Sequence, residues 1–94
     1  MVFSSLQNYQ EALNAYSESL QLQPDNGDVM AEMAENLSIL GNQQDAERFF
    51  KNAILFQPDN LTMKAKLGRV YINQKRNSAA YDLFAEIYAN DSSN

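Results

Sequence analysis

Apolar residues recur along this chain at the spacing of an amphipathic α-helix. One apolar stripe consists of Met30, Met33, Ala34 and Leu37, and a second consists of Ala46, Phe49, Phe50, Ala53 and Ile54. These positions follow the i, i+3, i+4, i+7 rule, which places the apolar side chains on one face of a helix. Only a short polar segment separates the stripes, so they predict two antiparallel helices joined by a tight turn.

The same pattern returns after 34 residues. Gln-Pro-Asp-Asn occupies residues 23–26 and again residues 57–60. At this shift small residues fall on small residues, and aromatic residues fall mostly on aromatic ones. The superposed sets include Ala12, Ala46 and Ala80; Tyr16, Phe50 and Phe84; and Phe3, Leu37 and Tyr71. A size pattern with a fixed period is typical of stacked helical repeats.

The period predicts one all-α domain. Residues 1–94 divide into a partial repeat 1–26, a complete repeat 27–60 and a last repeat 61–94. The predicted helices span about residues 1–6, 8–22, 28–40, 42–56, 61–74 and 77–90. Pro24 and Pro58 end the second helix of a repeat, and the Asp-Asn pair after each proline can cap the next helix.

Packing explains the sizes of the repeated residues. Ala46 and Gly68 are expected where two helix backbones cross, because a larger side chain would hold the helices apart. The aromatic residues Phe50, Phe84 and Tyr71 are expected to fill the wider spaces beside those crossings.

This arrangement resembles the tetratricopeptide repeat family, whose repeats are about 34 residues long. The matching residues are Ala46, Phe50, Ala53 and Pro58; Leu67, Gly68, Tyr71, Ala80 and Phe84; and Ala12, Tyr16 and Pro24. The resemblance implies antiparallel helix-turn-helix repeats stacked as a right-handed α-solenoid, with about two and a half repeats in this chain. Met30 and Lys64 stand where the family has a large aromatic residue, and Met63 is expected to rotate into that space.

The resemblance also implies a protein–protein interaction module. In this family the first helices of the repeats line a concave groove that holds an extended peptide or a helix of a partner protein. The corresponding residues are Asp28, Ala31, Glu32, Glu35, Ser38, Thr62, Ala65, Lys66, Arg69, Ile72 and Asn73. Such a groove would run from acidic to basic. In the alternative interpretation these side chains form only a solvated helical face.

One subset of the family grips the C-terminal carboxylate of chaperones with Lys, Asn and Arg side chains. Glu32 stands where that subset has an asparagine, and Thr62 stands where it has a lysine. We therefore do not predict this chaperone-binding clamp. Lys66 keeps its charge, and it lies one helical turn from Arg69, so the two side chains remain candidates for holding a carboxylate.

Two functional hypotheses follow. In the first, the chain is a piece of a longer repeat protein that binds a partner, and in the second it associates with copies of itself. Tyr81 and Tyr88 lie on the outer side of the last predicted helix and would pack around Phe3 and Leu6 of another copy, as in a scaffold. Residues 1–47 carry a charge of −8 and residues 48–94 carry +3, which would assist such a contact.

Composition excludes several classes of chemistry. The chain has no histidine and no cysteine, so it lacks Ser-His and Cys-His nucleophiles, disulfides and zinc sites with His or Cys ligands, and catalysis would have to use carboxylates, Tyr, Lys or Arg alone. Its net charge of −5 argues against nucleic acid, including RNA bound as in the related pentatricopeptide repeats. Residues 25–28 resemble a calcium loop but lack its spacing, so we interpret them as a helix cap.

From these absences we predict no enzyme activity, no cofactor and no bound metal. No apolar run is long enough to cross a bilayer, so we predict no membrane insertion. The expected protein is soluble, with the cytoplasm slightly favoured over the periplasm as its compartment.

Overall fold

The computed structural model describes the backbone of residues 2–92 and the side chains of residues 8–89. It contains five helices: α1 (Val2–Leu22), α2 (Gly27–Ile39), α3 (Gln43–Phe56), α4 (Leu61–Asn73) and α5 (Asn77–Ser92). The described backbone has no strand. Each helix packs against the next in chain order, and α2 also contacts α4. The predicted all-α fold of stacked antiparallel helix pairs is confirmed, and α2 to α5 begin and end within two residues of their predicted bounds.

The first helix differs from the prediction. The 34-residue period superposes Gln7 on Gly41, the turn residue of the complete repeat, and so predicts a break between helices 1–6 and 8–22. That break is wrong, because α1 is continuous. Its sequence contains no glycine or proline, so nothing interrupts the helical hydrogen bonds.

The turns inside the complete and last repeats have the same geometry. Gly41 has a φ of 94° and Lys75, at the equivalent position, has a φ of 61°. In the first turn the Asn42 N–H donates to the Leu37 carbonyl at 2.8 Å, and the equivalent bond in the second turn also measures 2.8 Å. This Schellman arrangement closes the end of a helix. Lys75 therefore adopts a left-handed conformation that favours glycine.

Replacing Lys75 with glycine is expected to stabilise the protein by about 0.5–1 kcal/mol, because glycine adopts a positive φ without a Cβ clash. The reciprocal change, Gly41→Lys, is expected to cost about 1 kcal/mol. Urea denaturation of both variants and the wild type measures the two effects. A Lys75→Gly variant less stable than the wild type would contradict this assignment of strain.

Asparagine side chains cap three of the helices. The Oδ1 atoms of Asn26, Asn42 and Asn60 each accept a hydrogen bond from the backbone N–H three residues later, at 3.1–3.2 Å. Such caps satisfy N–H groups that the first helical turn leaves without a partner. The caps predicted after Pro24 and Pro58 are confirmed, and Asn42 is an additional cap inside the complete repeat.

Small side chains lie where the helices cross. Ala34 on α2 meets the core formed by Ala46 and Ala53 on α3, and all three side chains are fully buried. On α4, a Cβ atom added to Gly68 would lie 2.6 Å from the Cζ atom of Phe84. These positions therefore admit no larger side chain without displacing a neighbour.

Lys64 stands where the family has a large aromatic residue, and two side chains fill that space. Met63 is buried in the core, as predicted. Lys64 is partly buried, and its Nζ atom lies 2.8 Å from Glu86 Oε2 on α5. Ala12 is less buried than its equivalents Ala46 and Ala80, since within the described chain α1 packs only against α2.

Candidate functional site

The first helices of the complete and last repeats lie side by side, and the predicted binding residues follow this pair. α2 and α4 contact each other, and we call the surface along them the α2–α4 groove. Its exposed members are Asp28, Glu32, Thr62, Arg69, Ile72 and Asn73, and its partly buried members are Glu35, Ser38, Ala65 and Lys66.

Ala31 differs from the other predicted groove residues. Its side chain is only 8% exposed and belongs to the hydrophobic core, so the expectation that it faces the groove is wrong. The physical reason is that α1, α3 and α4 all pack against α2, and a methyl group is too short to emerge between them. The equivalent Ala65 is only partly buried, because no later first helix of the described chain covers it.

A cleft of 290 Å³ opens between α2 and α4. It is lined by Glu35, Ser38, Ile39, Phe50, Lys66, Arg69, Val70 and Asn73. Five of these residues were predicted for the groove from the sequence. Ile39 was missed, although the 34-residue shift superposes it on Asn73. The cleft combines charged walls with an apolar floor, a combination suited to holding one side chain of a peptide.

An ion pair crosses the groove. The Lys66 Nζ atom on α4 lies 2.7 Å from Glu35 Oε2 on α2. Both side chains remain partly exposed, so the pair contributes at most about 1 kcal/mol to stability. The main effect of the pair is that Glu35 neutralises Lys66, the lysine that the sequence made a candidate for holding a carboxylate together with Arg69.

The other acidic side chains of the groove have neutral donors. The Tyr16 hydroxyl of α1 donates to Glu32 Oε2 at 3.3 Å, and the Gln57 amide donates to Asp28 Oδ1 at 2.8 Å. Partial burial, and then the negative charge of Glu32, raise the pKa of Tyr16, so its hydroxyl stays a donor at neutral pH. Among residues 8–89, neither carboxylate has a cationic side chain within ion-pair distance.

Arg69 is the exposed cation of the groove. Among residues 8–89, no carboxylate lies within ion-pair distance of its guanidinium. A guanidinium presents donors in a planar fork that fits a carboxylate. Arg69 can thus receive an acidic group from outside this part of the chain.

A second charged cluster holds the last two repeats together behind the groove. Glu47 on α3 accepts hydrogen bonds from Arg76 Nη1 at 2.8 Å and Gln74 Nε2 at 3.2 Å, and Lys51 Nζ lies 2.8 Å from its other oxygen. The Arg76 guanidinium also lies 4.6 Å from the centre of the Tyr71 ring, within cation–π range. This cluster fixes the α4–α5 turn against α3.

The surroundings of Glu47 favour its charged form. Burial by itself raises the pKa of a carboxyl group, but the hydrogen bonds from Lys51 and Gln74 and the charges of Lys51 and Arg76 outweigh it, so the pKa of Glu47 is lowered. The hydrogen bond to Glu47 likewise raises the pKa of Lys51. The folded state therefore binds a proton at Glu47 less readily than the unfolded chain does.

Glu47→Gln is expected to cost about 1–2 kcal/mol of stability at pH 7, since it removes the charge that three donors surround. A lowered pKa stabilises the fold above the unfolded value and loses this effect as the pH falls through the folded value. The difference between wild type and variant should therefore be constant near neutral pH and shrink as the pH falls below the ordinary carboxyl range. Urea denaturation at several pH values measures it, and a difference independent of pH would contradict the electrostatic role.

The outer face of α5 is apolar and exposed. Tyr81 and Tyr88 are 75% and 74% exposed. A second cleft, of 440 Å³, lies beside Tyr88 and is lined by Leu61, Thr62, Ala65, Phe84, Ile87 and Tyr88. Phe3 and Leu6, the residues predicted to meet this face in another copy, lie outside the described side chains.

The charge of α5 differs from the net positive charge of residues 48–94. α5 carries Asp82, Glu86 and Asp91 and no basic residue, whereas the basic residues of the second half lie on α3, α4 and the α4–α5 turn. α1 is also acidic, with Glu11 and Glu18 and no basic residue. A direct contact between α1 of one copy and α5 of another would therefore gain nothing from the charges of these two helices.

Part of the chain matches a known repeat family. A sequence model described as Tetratricopeptide repeat matches residues 1–26, which are the partial repeat predicted from the period. Comparison with curated protein sequences gave no match. No helix in the described part of the chain is long and apolar enough to span a bilayer. The side chains of residues 8–89 bring together no group of three or more acidic residues that could hold a metal ion.

Proposed function

We propose that this chain is a tetratricopeptide repeat protein and that its α2–α4 groove binds a peptide or a helix of a partner protein, because a model of that repeat matches residues 1–26 and grooves between such helices hold partner segments. The observation that carries this proposal is the 290 Å³ cleft between α2 and α4, with charged walls and an apolar floor. Partner side chains enter such clefts while their backbone runs across the helices.

The proposed role is binding without catalysis. Glu35 pairs with Lys66 rather than with a second carboxylate, which argues against its use in an acid–base pair. We propose no nucleic-acid partner, because the acidic side chains of α2 would repel phosphate. We also propose no chaperone-tail clamp, because Glu32 and Thr62 replace two of its residues.

The test is affinity capture with the full chain and two matched variants. Arg69→Glu reverses the exposed cation of the groove, and Arg48→Glu makes the same change at an exposed position on α3. Lys66 is left intact because a glutamate there would face Glu35. We expect one or more proteins to bind the wild type and Arg48→Glu but not Arg69→Glu. Equal capture by all three chains, each shown to be folded by circular dichroism, would contradict the groove as the binding surface.

Self-association through α5 is the second candidate function. It is favoured by the exposed rings of Tyr81 and Tyr88 and by the neighbouring 440 Å³ cleft, since exposed apolar surface of this kind can mark a site of association. Sedimentation at rising concentration tests it. A concentration-dependent increase in mass that Tyr88→Glu abolishes would support self-association, and a monomer at every concentration would exclude it.

A further inference from the structure

The α2–α4 groove carries opposite charges at equivalent positions of its two repeats. The 34-residue shift superposes Glu32 on Lys66 and Glu35 on Arg69. The charge at both positions therefore changes sign from one repeat to the next. Because α2 and α4 are the same helix of successive repeats and lie side by side, the four side chains form a quadrilateral with acidic groups on one helix and basic groups on the other.

One diagonal of this quadrilateral is closed and the other is open. Glu35 and Lys66 neutralise each other at 2.7 Å. Among residues 8–89, Glu32 receives only the neutral Tyr16 hydroxyl at 3.3 Å, and no carboxylate lies within ion-pair distance of Arg69. Both of these remaining charges are exposed. The groove thus offers one negative and one positive anchor to a partner.

The distance between the two anchors sets the spacing that a partner needs. Packed helix axes lie roughly 8–10 Å apart, and three residues along a helix add about 4.5 Å. The positions of Glu32 and Arg69 are therefore about 10 Å apart. A peptide in the polyproline II conformation has three residues per turn and advances about 3.1 Å per residue, so two of its side chains separated by three residues point the same way and span about this distance.

The surroundings of Arg69 specify the neighbouring peptide residue. Ile39 and Val70 line the same cleft as Arg69, and Ile39 is half-exposed there. An aliphatic side chain placed in this cleft would cover Ile39 while an adjacent acidic group reaches the guanidinium. The apolar contact adds affinity, and the charged contacts select the sequence.

We propose that the groove selects a dipolar partner segment, with a basic side chain on Glu32, an acidic side chain three residues away on Arg69, and an aliphatic residue next to the acidic one. This inference rests on the proposed function and deepens it, since it names the chemistry of the segment that the groove binds. A uniformly acidic segment would face repulsion from Asp28 and Glu32, and a uniformly basic one would face repulsion from Arg69.

Fluorescence anisotropy with labelled synthetic peptides tests the proposal on the full chain. The probe is a serine-rich peptide that contains Lys-Ser-Leu-Asp. Its matched controls replace the lysine with aspartate, replace the aspartate with lysine, or separate the two charges by six residues. We expect the dipolar probe to bind about tenfold tighter than each control.

The protein variants provide a charge-swap control. Arg69→Glu should weaken the binding of the dipolar probe about tenfold and make the peptide with two lysines the tightest ligand. Arg48→Glu, which changes net charge equally outside the groove, should leave every affinity within about twofold. Circular dichroism checks that both variants keep the helical fold, as expected for two exposed side chains.

The outcomes separate this inference from the proposed function. If Arg69→Glu weakens binding but all four peptides bind the wild type equally, the groove binds without selecting charge, and only the inference is overturned. If the Arg69→Glu and Arg48→Glu variants bind each peptide with the same affinity, the peptides bind outside the groove, and both proposals fail. If no peptide binds at about 1 mM, the dipolar selection is overturned and affinity capture decides the proposed function by itself.

Discussion

Replacing Phe50 with alanine is expected to lower the free energy of unfolding by about 3–5 kcal/mol. The Phe50 side chain is 1% exposed and is one of the two largest fully buried side chains of the described core. Its removal leaves a cavity that the surrounding helices cannot fill, because each is held by neighbours on more than one side. Folded domains have stabilities of about 5–15 kcal/mol in total, so much of this variant should be unfolded at physiological temperature.

Phe56→Ala is the matched control, on the same helix. Phe56 is 52% exposed, so its truncation removes little buried surface and should cost less than about 1 kcal/mol. Urea denaturation followed by circular dichroism compares the two variants. Equal midpoints would show that the aromatic position of the repeat is not the centre of the core.

The Phe50 ring also lines the cleft of the groove. Loss of the ring should therefore weaken peptide binding even at temperatures at which the variant remains folded. Phe50→Ala is therefore expected to lower both stability and binding, whereas Arg69→Glu is expected to lower binding and leave the core unchanged.

Ala46→Leu is expected to destabilise the protein by about 1–3 kcal/mol through overpacking. Ala46 has no exposed surface and lies on α3, which packs against both α2 and α4. A leucine there must push one of these helices away or adopt an unfavourable rotamer. The same change at the equivalent Ala80, which is also buried, should have an effect of similar size.

The control for these variants is Ala15→Leu on the exposed surface of α1, expected to change stability by no more than about 0.5 kcal/mol. Thermal unfolding of the three variants gives the comparison. A wild-type melting temperature for Ala46→Leu would mean that no helix crossing requires a small residue at this position.

The helices and their order were predictable because the repeat fixes the size of side chains at the crossings. Alanine and glycine at Ala46 and Gly68 permit close approach whatever the exact path of the backbone. The period failed at Gln7, because it transferred a turn from Gly41 to a residue that has no reason to end a helix. A period shows which positions are equivalent, but the residue at each position decides the local backbone conformation.

For the groove too, the sequence predicted positions but not contacts. Helical spacing identified the side of α2 and α4 on which Glu35, Lys66 and Arg69 lie. It did not identify the Glu35–Lys66 ion pair, since that contact depends on the distance between helices and on side-chain torsion angles. Nor did it identify the burial of Ala31, which follows from the number of helices packed against α2.

The change of sign between α2 and α4 means that the two repeats are not interchangeable building blocks. A chain in which residues 61–94 were exchanged for a duplicate of residues 27–60 would present Glu32 and Glu35 twice on neighbouring helices, and four carboxylates would repel one another where the Glu35–Lys66 bridge now stands. Gene duplication can supply the architecture of this array, and divergence of charge between the copies then replaces repulsion between carboxylates with an ion pair that is worth at most about 1 kcal/mol.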